Sequence, residues 1–152
     1  MSALELKIPP VLLLLLFMAA AYVIPPIAPL AVSEFTSYVL SSVVSVLGLT
    51  VILMGVLAFK KHQTTVNPVT PQASSTLVTN SIYRFTRNPM YLGFALLLLS
   101  WSLWLADGFL FVLVGLFVSY LTRFQIIPEE RVLTQLFGQP FQHYCSKVRR
   151  WI

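Results

Sequence analysis

One stretch decides how this chain folds: Leu77-Val78-Thr79-Asn80-Ser81-Ile82-Tyr83-Arg84-Phe85-Thr86-Arg87-Asn88-Pro89-Met90-Tyr91. It belongs to the longest polar interval between apolar runs, and it leads directly into one of those runs. Pro89 suits the first turn of a helix, because a proline there gives up no hydrogen bond and its fixed φ fits. The start of a helix carries unpaired N–H groups and a partial positive charge, so it can hold an anionic group such as a carboxylate. The stretch therefore predicts a polar site at the start of an apolar helix, crowded by four side chains: Tyr83, Arg84, Arg87 and Tyr91.

The composition places the chain in a membrane. Its 152 residues are enough for one domain. Hydrophobic residues make up 57% of the chain and charged residues 10%, whereas soluble domains carry roughly a quarter charged residues. The mean hydropathy of +0.82 agrees with this difference. We therefore expect an integral membrane protein in contact with the lipid bilayer.

Apolar runs predict four transmembrane helices, at residues 11–24, 38–59, 89–106 and 109–127. A helix needs about 20 apolar residues to cross a bilayer core, so the first run is short. A secretory signal peptide is the alternative for that run, with Ala19-Ala20-Ala21 as a cleavage site. Because Glu5 accompanies Lys7, the leader lacks the basic character of a signal peptide, and we expect a retained helix. In the second run, Gly48 and Gly55 suit close helix packing, and a homodimer contact is the alternative.

Two further helices are predicted after the fourth span, at residues 128–137 and 140–150. The acidic pair Glu129-Glu130 suits the first turn of the former, and Gly138 ends it. Both helices are amphipathic, so we expect them at the membrane interface, where they would cover the third and fourth spans.

The predicted fold is therefore all-α. It is a polytopic helical membrane protein with about four transmembrane helices and two C-terminal interfacial helices. Residues 1–152 make one membrane domain, in which residues 1–63 supply the two N-terminal spans and residues 64–152 the functional core.

The placement of charge predicts the orientation in the membrane. The ten Lys and Arg lie near the N-terminus, in the loop between the second and third spans, or at and beyond the end of the fourth span. The two other loops contain Glu34 and Asp107 and no base. This positive-inside pattern puts both termini, the central loop and the predicted site on the cytoplasmic face. Membrane topology also accounts for the net charge of +5, so we expect no nucleic-acid partner.

The remaining reactive side chains give no indication of a metal site. Cys145 is the only cysteine, which excludes an internal disulfide and a cysteine cluster. His62 and His143 lack the spacing of a zinc site. We therefore expect no metal.

The hairpin of the third and fourth spans brings two polar segments together. The third span begins and the fourth ends at one surface, so residues 87–91 face residues 123–130 across what we call the hairpin mouth. Basic, acidic and aromatic groups meet there above a hydrophobic floor that is open to lipid. Such a place suits a polar cofactor from the cytosol and a lipophilic acceptor from the bilayer.

Three motifs in this part of the chain resemble a known family. They are Leu77-Val78-Thr79 with Tyr83, Arg87-Asn88-Pro89-Met90-Tyr91, and Glu129-Glu130 followed by Leu133, Phe137-Gly138 and Tyr144. In this order they resemble the isoprenylcysteine carboxyl methyltransferase family and its phospholipid methyltransferase relatives, over residues 64–152. The resemblance implies S-adenosylmethionine-dependent methyl transfer, with the cofactor enclosed above the third and fourth spans. It implies these cofactor contacts: Ser75, Thr76, Leu77, Val78, Tyr83, Asn88, Pro89, Met90, Tyr91 and Glu129.

The chain departs from the family pattern at three places. Asn88 stands where the family usually has His, and Ser81 where it usually has Gly. Eukaryotic members handle the substrate with an Arg shortly before the acidic pair. Here that position is Gln125, and Arg123 lies two residues earlier. An Asn side chain can still hydrogen-bond, so we expect the chain to bind the cofactor. The resemblance does not determine the identity of the methyl acceptor.

Methyl transfer from a sulfonium needs positioning and exclusion of water more than a protein nucleophile. Glu129 is suited to accept hydrogen bonds from the cofactor. A carboxylate acceptor needs no general base, whereas an amine acceptor could use one. The catalytic candidates are Arg123, Tyr91 and Glu130. Each residue type also has an alternative structural role. The arginines can anchor the chain at the membrane surface, the tyrosines can pack at the interface, and the glutamates can stabilise the first turn of a helix.

We expect an integral membrane S-adenosylmethionine-dependent methyltransferase that acts on a lipophilic or membrane-associated acceptor by carboxyl O-methylation. A phospholipid or amine N-methyltransferase is the alternative among enzymes. A non-catalytic membrane module that retains the fold is the alternative outside them, and Asn88 and Ser81 are the residues that would support it.

Overall fold

Helices make up nearly all the regular secondary structure of the residues that the structure describes. The computed structural model describes residues 5–61 and 77–152, except for the side chain of Lys61. Six α-helices run through these ranges: α1 Pro10–Val23, α2 Glu34–Lys61, α3 Pro89–Trp104, α4 Leu110–Leu121, α5 Ile127–Phe137 and α6 Gln139–Lys147. A 3₁₀ turn precedes α3 and a π-helical turn joins α4 to α5, at Ser81–Arg84 and Thr122–Ile126. The described residues contain no β-strand, so the all-α prediction is confirmed.

Within the described ranges, two helices are long and apolar enough to cross a membrane. They are Glu34–Lys60 within α2, and Leu110–Phe137, which joins α4, the π-helical turn and α5. The other apolar helices are shorter, with 14 residues in α1 and 16 in α3. At 1.5 Å per residue they extend about 21 and 24 Å, against about 30 Å for a hydrocarbon core. Length therefore supports two spans, and the count of four stays a prediction.

The core lies between α1, α3 and α4. Four side chains with no exposed surface fill it: Leu98, Phe117, Leu121 and Ile126. Leu13 and Leu14 of α1 pack against them. α2 packs along α3 instead and leaves large apolar side chains such as Val43 and Val46 exposed. An exposed apolar surface of this kind is what a lipid-facing helix needs.

Glycines allow α2 and α3 to meet through their backbones. A Cβ atom on Gly93 would lie 2.7 Å from the carbonyl oxygen of Gly48 and 2.3 Å from Cγ1 of Ile52. Gly55 faces the start of α3, where an added Cβ would lie 3.2 Å from Cγ of Pro89. Gly48 and Gly55 thus serve close packing within one chain, as the sequence predicted. The homodimer remains a prediction.

A buried carboxylate joins the loop before α2 to the turn between α3 and α4. Asp107 accepts hydrogen bonds from the backbone N–H groups of Ile27 at 2.6 Å, Ala28 at 3.0 Å and Phe109 at 2.9 Å. Burial alone would raise the pKa of Asp107, but the three donors outweigh it and hold the pKa of this carboxyl below its usual value. The turn that joins the predicted third and fourth spans is present, and the carboxylate of Asp107 within it also joins two loops.

The fourth apolar helix does not stop where the sequence predicts. The helix predicted at residues 128–137 is present as α5, Ile127–Phe137, but it continues from α4 through the π-helical turn instead of starting separately at Pro128. A proline lacks an N–H and crowds the carbonyl four residues earlier. The π-helical turn just before Pro128 accommodates both the missing hydrogen bond and the crowding. That carbonyl, Phe124 O, accepts a hydrogen bond from Leu6 N at 3.0 Å. The N-terminal lead therefore supplies the donor that the proline lacks.

The last predicted helix is present but shorter than expected. Gly138, with φ of 57°, ends α5, and α6 follows at once. α6 ends at Lys147 because Val148 is extended. The next two backbone carbonyls, of Arg149 and Arg150, accept hydrogen bonds from residues before α3. We call residues 149–152 the C-terminal segment.

Candidate functional site at the hairpin mouth

A hydrogen-bonded pair lies at the centre of the hairpin mouth. Tyr91, in the first turn of α3, donates its hydroxyl proton to Oε1 of Glu129, in the first turn of α5. Tyr91 is buried, and Glu129 is partly buried. The two residues lie 38 positions apart. The start of α3 and the start of α5 therefore meet across the hairpin mouth, as the sequence predicts.

Three charged side chains form an ion-paired triad next to this pair. Oε1 of Glu130 lies 2.7 Å from Nη2 of Arg87. Arg150 holds the same carboxylate with two nitrogens, since Nε is 3.0 Å from Oε1 and Nη2 is 2.8 Å from Oε2. This bond with Glu130 raises the pKa of Arg150. Charge-assisted bonds in a planar fork fix the orientation of a carboxylate as well as its position.

Asn88 links the start of α3 to the C-terminal segment. Its Nδ2 donates to the carbonyl oxygen of Arg150 at 3.0 Å. Its backbone N–H donates to Oγ1 of Thr86 at 3.2 Å, and that hydroxyl donates in turn to the same Arg150 oxygen at 3.2 Å. The Asn88 side chain makes no capping bond to α3. The amide that replaces the family's usual His therefore binds the chain's own backbone.

The segment before α3 packs against α6 in an apolar cluster. Val78 and Tyr83 are buried there with Phe141 and Tyr144, and the hydroxyl of Tyr144 donates to the carbonyl oxygen of Tyr83 at 2.7 Å. Burial raises the pKa of Tyr83, and the neighbouring Tyr144 and Glu129 raise it further. The Tyr83 hydroxyl therefore shares the electrostatic surroundings of Glu129, and the apolar cluster borders the hairpin mouth.

Ser81 has a backbone conformation that favours glycine. Its φ is 55°, in the left-handed region that glycine adopts without steric cost and other residues adopt at a cost of about 1–2 kcal/mol. The family pattern usually has Gly at this position. The departure at Ser81 therefore adds strain to a turn whose shape suits the family residue.

The other predicted cofactor contacts lie at the edges of the hairpin mouth or outside the described residues. Pro89 and Met90 face α2, where the Cγ atom of each would lie 3.2 Å from a Cβ on Gly55. Leu77 packs against the apolar cluster of Val78 and Tyr83. Two predicted contacts fall outside the described ranges: Ser75 and Thr76.

Arg123 is not brought to the pair of Tyr91 and Glu129 by any contact that the structure describes. Its Nη1 lies 3.6 Å from Glu5, and its guanidinium lies 5.6 Å from the ring centre of Phe124. More than half of its side chain is exposed. Its neighbour Gln125 is buried and donates to the carbonyl oxygen of Ile8 at 2.6 Å.

Sequence reasoning missed the C-terminal segment as a part of the site. It counted Arg149 and Arg150 only as positive-inside charges and did not include Thr86. A carboxylate such as Glu130 needs a cation when it is partly buried, so the bases beyond the fourth span were an available signal. Arg150 lies 20 residues after Glu130, a spacing that has no periodic meaning, so the sequence pattern could not identify which of these bases forms the pair.

Comparison with known proteins adds a family match. The model of the family described as phospholipid methyltransferase matches residues 36–140, which hold Tyr91, Glu129 and Glu130. An uncharacterized protein of Haemophilus influenzae is 41% identical over 63 residues, which are 41% of this chain and 100% of that protein. No solved structure matches the chain.

Proposed function

The chain belongs to the phospholipid methyltransferase family, and from this premise we propose that it is an integral membrane enzyme that transfers a methyl group from S-adenosylmethionine to a lipophilic or membrane-associated acceptor. Family membership supports a membrane methyltransferase in general. The cofactor, the acceptor and the roles of individual residues are proposals. The pair of Tyr91 and Glu129 is the observation that supports them beyond the family match.

The side chains at the hairpin mouth suit S-adenosylmethionine. The carboxyl group of Glu129 has several lone-pair sites on its two oxygens, and Tyr91 uses one of them. The remaining sites can accept from hydroxyl or ammonium donors, which this cofactor has on its ribose and amino-acid parts. A partly buried carboxylate is costly unless it is paired, so donors of this kind would stabilise Glu129. When bound, the cofactor supplies a methyl group on a sulfonium.

The floor of the hairpin mouth suits a reaction in which positive charge is lost. Leu121 and Ile126 are fully buried and belong to the same apolar cluster as Tyr91. Apolar side chains exclude water and do not stabilise a sulfonium charge as water does. We infer that this chain contributes orientation and a dry surface, and that it needs no protein nucleophile.

The bonds at the acidic pair favour different roles for its two members. Two guanidinium groups occupy both oxygens of Glu130, which leaves this carboxylate little capacity to accept a proton from a substrate. We therefore propose that Glu129 binds the cofactor, that Tyr91 orients Glu129, and that Glu130 positions the loop before α3. A catalytic role for Arg123, which contacts Glu5, stays a prediction.

The acceptor has two candidates. Carboxyl O-methylation, as in the isoprenylcysteine carboxyl methyltransferases, is the first and needs no general base. N-methylation of a phospholipid amine is the second, and the description of the matching family favours it. Arg87 and Arg150 are both bonded to Glu130, and Arg123 is paired with Glu5, so the described ion pairs do not place these arginines to pair with an acceptor carboxylate.

Binding of S-adenosylmethionine to the purified full-length protein in lipid nanodiscs tests the cofactor. We expect wild type to bind, and Glu129→Gln to bind about tenfold more weakly because it loses a charge-assisted acceptor. Glu34→Gln removes an exposed carboxylate at the start of α2 and is the matched control, with unchanged affinity. Absence of binding by wild type, or undiminished binding by Glu129→Gln, would overturn the proposal.

Transfer of labelled methyl groups in membranes that contain the protein separates the acceptor candidates. Label that appears in extracted lipid and resists mild alkali indicates N-methylation. Label released by alkali as methanol indicates a carboxyl ester. Cofactor binding without any transfer to lipid or protein would support the non-catalytic alternative.

A further inference from the structure

The C-terminal segment runs across the hairpin mouth. The carbonyl oxygen of Arg149 accepts from the backbone N–H of Arg87 at 3.0 Å, and that of Arg150 accepts from Thr86 and Asn88. Beyond them, Nε1 of Trp151 donates to Oγ1 of Thr122 in the π-helical turn at 3.1 Å. Three successive residues thus bind the loop before α3 and the continuous helix Leu110–Phe137.

Arg150 bonds to both sides of the hairpin mouth at once. Its guanidinium holds Glu130 of α5 in a two-nitrogen fork, and its backbone oxygen holds the side chain of Asn88, the residue before α3. Arg87 completes the link, since it bonds to Glu130 at 2.7 Å from the same loop as Asn88.

The two elements that Arg150 joins are the ones that carry the central pair. Glu129 is the neighbour of Glu130 in the first turn of α5, and Tyr91 lies in the first turn of α3, which begins directly after Asn88. Whatever fixes Glu130 relative to Asn88 therefore fixes Glu129 relative to Tyr91. An arginine fork suits this task because its planar geometry restrains direction as well as distance.

We propose that Arg150 is a positioning residue for binding of the methyl donor, which it serves by holding Glu130 with its side chain and Asn88 with its backbone. This inference rests on the proposed function. Arg150 acts through other residues, and Glu129 remains the side chain that is proposed to contact the donor.

The test compares S-adenosylmethionine affinity in full-length Arg150→Gln, Arg150→Lys and Arg149→Gln, each in nanodiscs. We expect Arg150→Gln to bind about tenfold more weakly than wild type. Arg150→Lys should recover only part of this loss, because an ammonium keeps the charge and cannot form the fork. Arg149→Gln removes the same charge from an exposed neighbour whose described contact is through its backbone, so its affinity should stay within about twofold of wild type.

A double-mutant cycle with Glu130→Gln distinguishes positioning from a general loss of stability. If Arg150 acts through Glu130, the double variant should bind no more weakly than Glu130→Gln alone. Thermal unfolding without ligand is measured for every variant, and binding is measured well below all midpoints. A lowered midpoint with unchanged affinity in Arg150→Gln would overturn the inference.

The outcomes also separate this inference from the proposed function. Wild type that fails to bind S-adenosylmethionine overturns both. Wild type that binds while Arg150→Gln binds equally well overturns only the positioning role. An equal loss of affinity in Arg149→Gln would show a nonspecific charge effect and would overturn that role too.

Discussion

At the residue scale, Ser81 and Asp107 show how single side chains affect the fold away from the proposed chemistry. Ser81 keeps a positive φ that glycine would adopt freely. Asp107 has three backbone donors and joins two loops that lie about 80 residues apart in the chain. Each of these features yields a prediction that can be measured without knowledge of the substrate.

Ser81→Gly is expected to stabilise the protein. Relief of the strain at the positive φ should raise the free energy of unfolding by about 1–2 kcal/mol. The greater conformational freedom of glycine in the unfolded chain should lower it by about 0.5–1 kcal/mol. The midpoint of thermal unfolding in detergent should rise by about 2 °C. Ser81→Ala keeps the strain and loses only the hydroxyl, so it is the control, and a rise there as large as in Ser81→Gly would contradict the explanation.

Asp107 is expected to make stability depend on pH in the acid range. Its pKa is lowered in the folded protein, so its contribution is complete above the ordinary Asp pKa of about 3.9 and is lost as the pH falls through the lower folded value. Unfolding midpoints of wild type and Asp107→Asn should therefore differ most at pH 5 and above, and the difference should shrink as the pH falls below the ordinary Asp pKa towards the lowered pKa of the folded state. A difference that is constant over this range would show that the charge of Asp107 does not contribute.

At the scale of the elements, the contact of α2 with α3 depends on glycine. A Cβ at Gly93 would meet the backbone of Gly48, which cannot move aside as a side chain does. Burial of apolar side chains between helices gives little stability in a membrane, because lipid tails solvate those side chains equally well. Van der Waals contact between the closely approaching helices supplies the stability instead. The helices are therefore held by contact between their surfaces, and small changes of volume at this contact are costly.

Gly93→Ala is expected to destabilise the protein by roughly 1–3 kcal/mol, the usual cost of overpacking. Gly115→Ala is the matched control, since a Cβ on that α4 glycine would have nothing within 4 Å. The control should be neutral or stabilising, because alanine favours a helix over glycine by about 1 kcal/mol. Thermal unfolding of both variants checks this, and equal effects would show that helix propensity rather than packing decides.

Pro128 shows where the element boundaries could not be predicted from the sequence. The residue pattern predicts a new helix there, because proline usually interrupts one. The helix continues because a π-helical turn precedes the proline and Leu6 bonds to the carbonyl of Phe124. Leu6 lies more than 100 residues away, and no local pattern reports such a partner.

At the scale of the whole molecule, the site divides into a part that the sequence could predict and a part that it could not. The meeting of Tyr91 with Glu129 follows from the hairpin, since apolar runs and turns determine which ends lie together. The bonds of Arg150 depend on the path of an irregular segment after α6, which has no periodicity. Sequence order therefore predicts which helix ends converge and misses the irregular backbone that crosses them.

The proposed orientation of the whole molecule predicts which positions face the cytoplasm. In a Cys145→Ser background, single cysteines replace the exposed residues Lys7 and Val32. A membrane-impermeant maleimide should label the cysteine at position 32 from outside intact cells, and the one at position 7 only in inverted vesicles. Labelling of both positions from the same side would contradict the four-span topology, since α1 would then not cross the membrane.

The backbone contact between Gly48 and Gly93 restricts how the protein can move. Helices that touch without intervening side chains cannot rotate or slide past each other without collision, so α2 and α3 behave as one rigid body. If the proposed acceptor is a lipid that enters from the side, we expect it to enter past α1 or past the continuous helix that carries Glu129, rather than between α2 and α3.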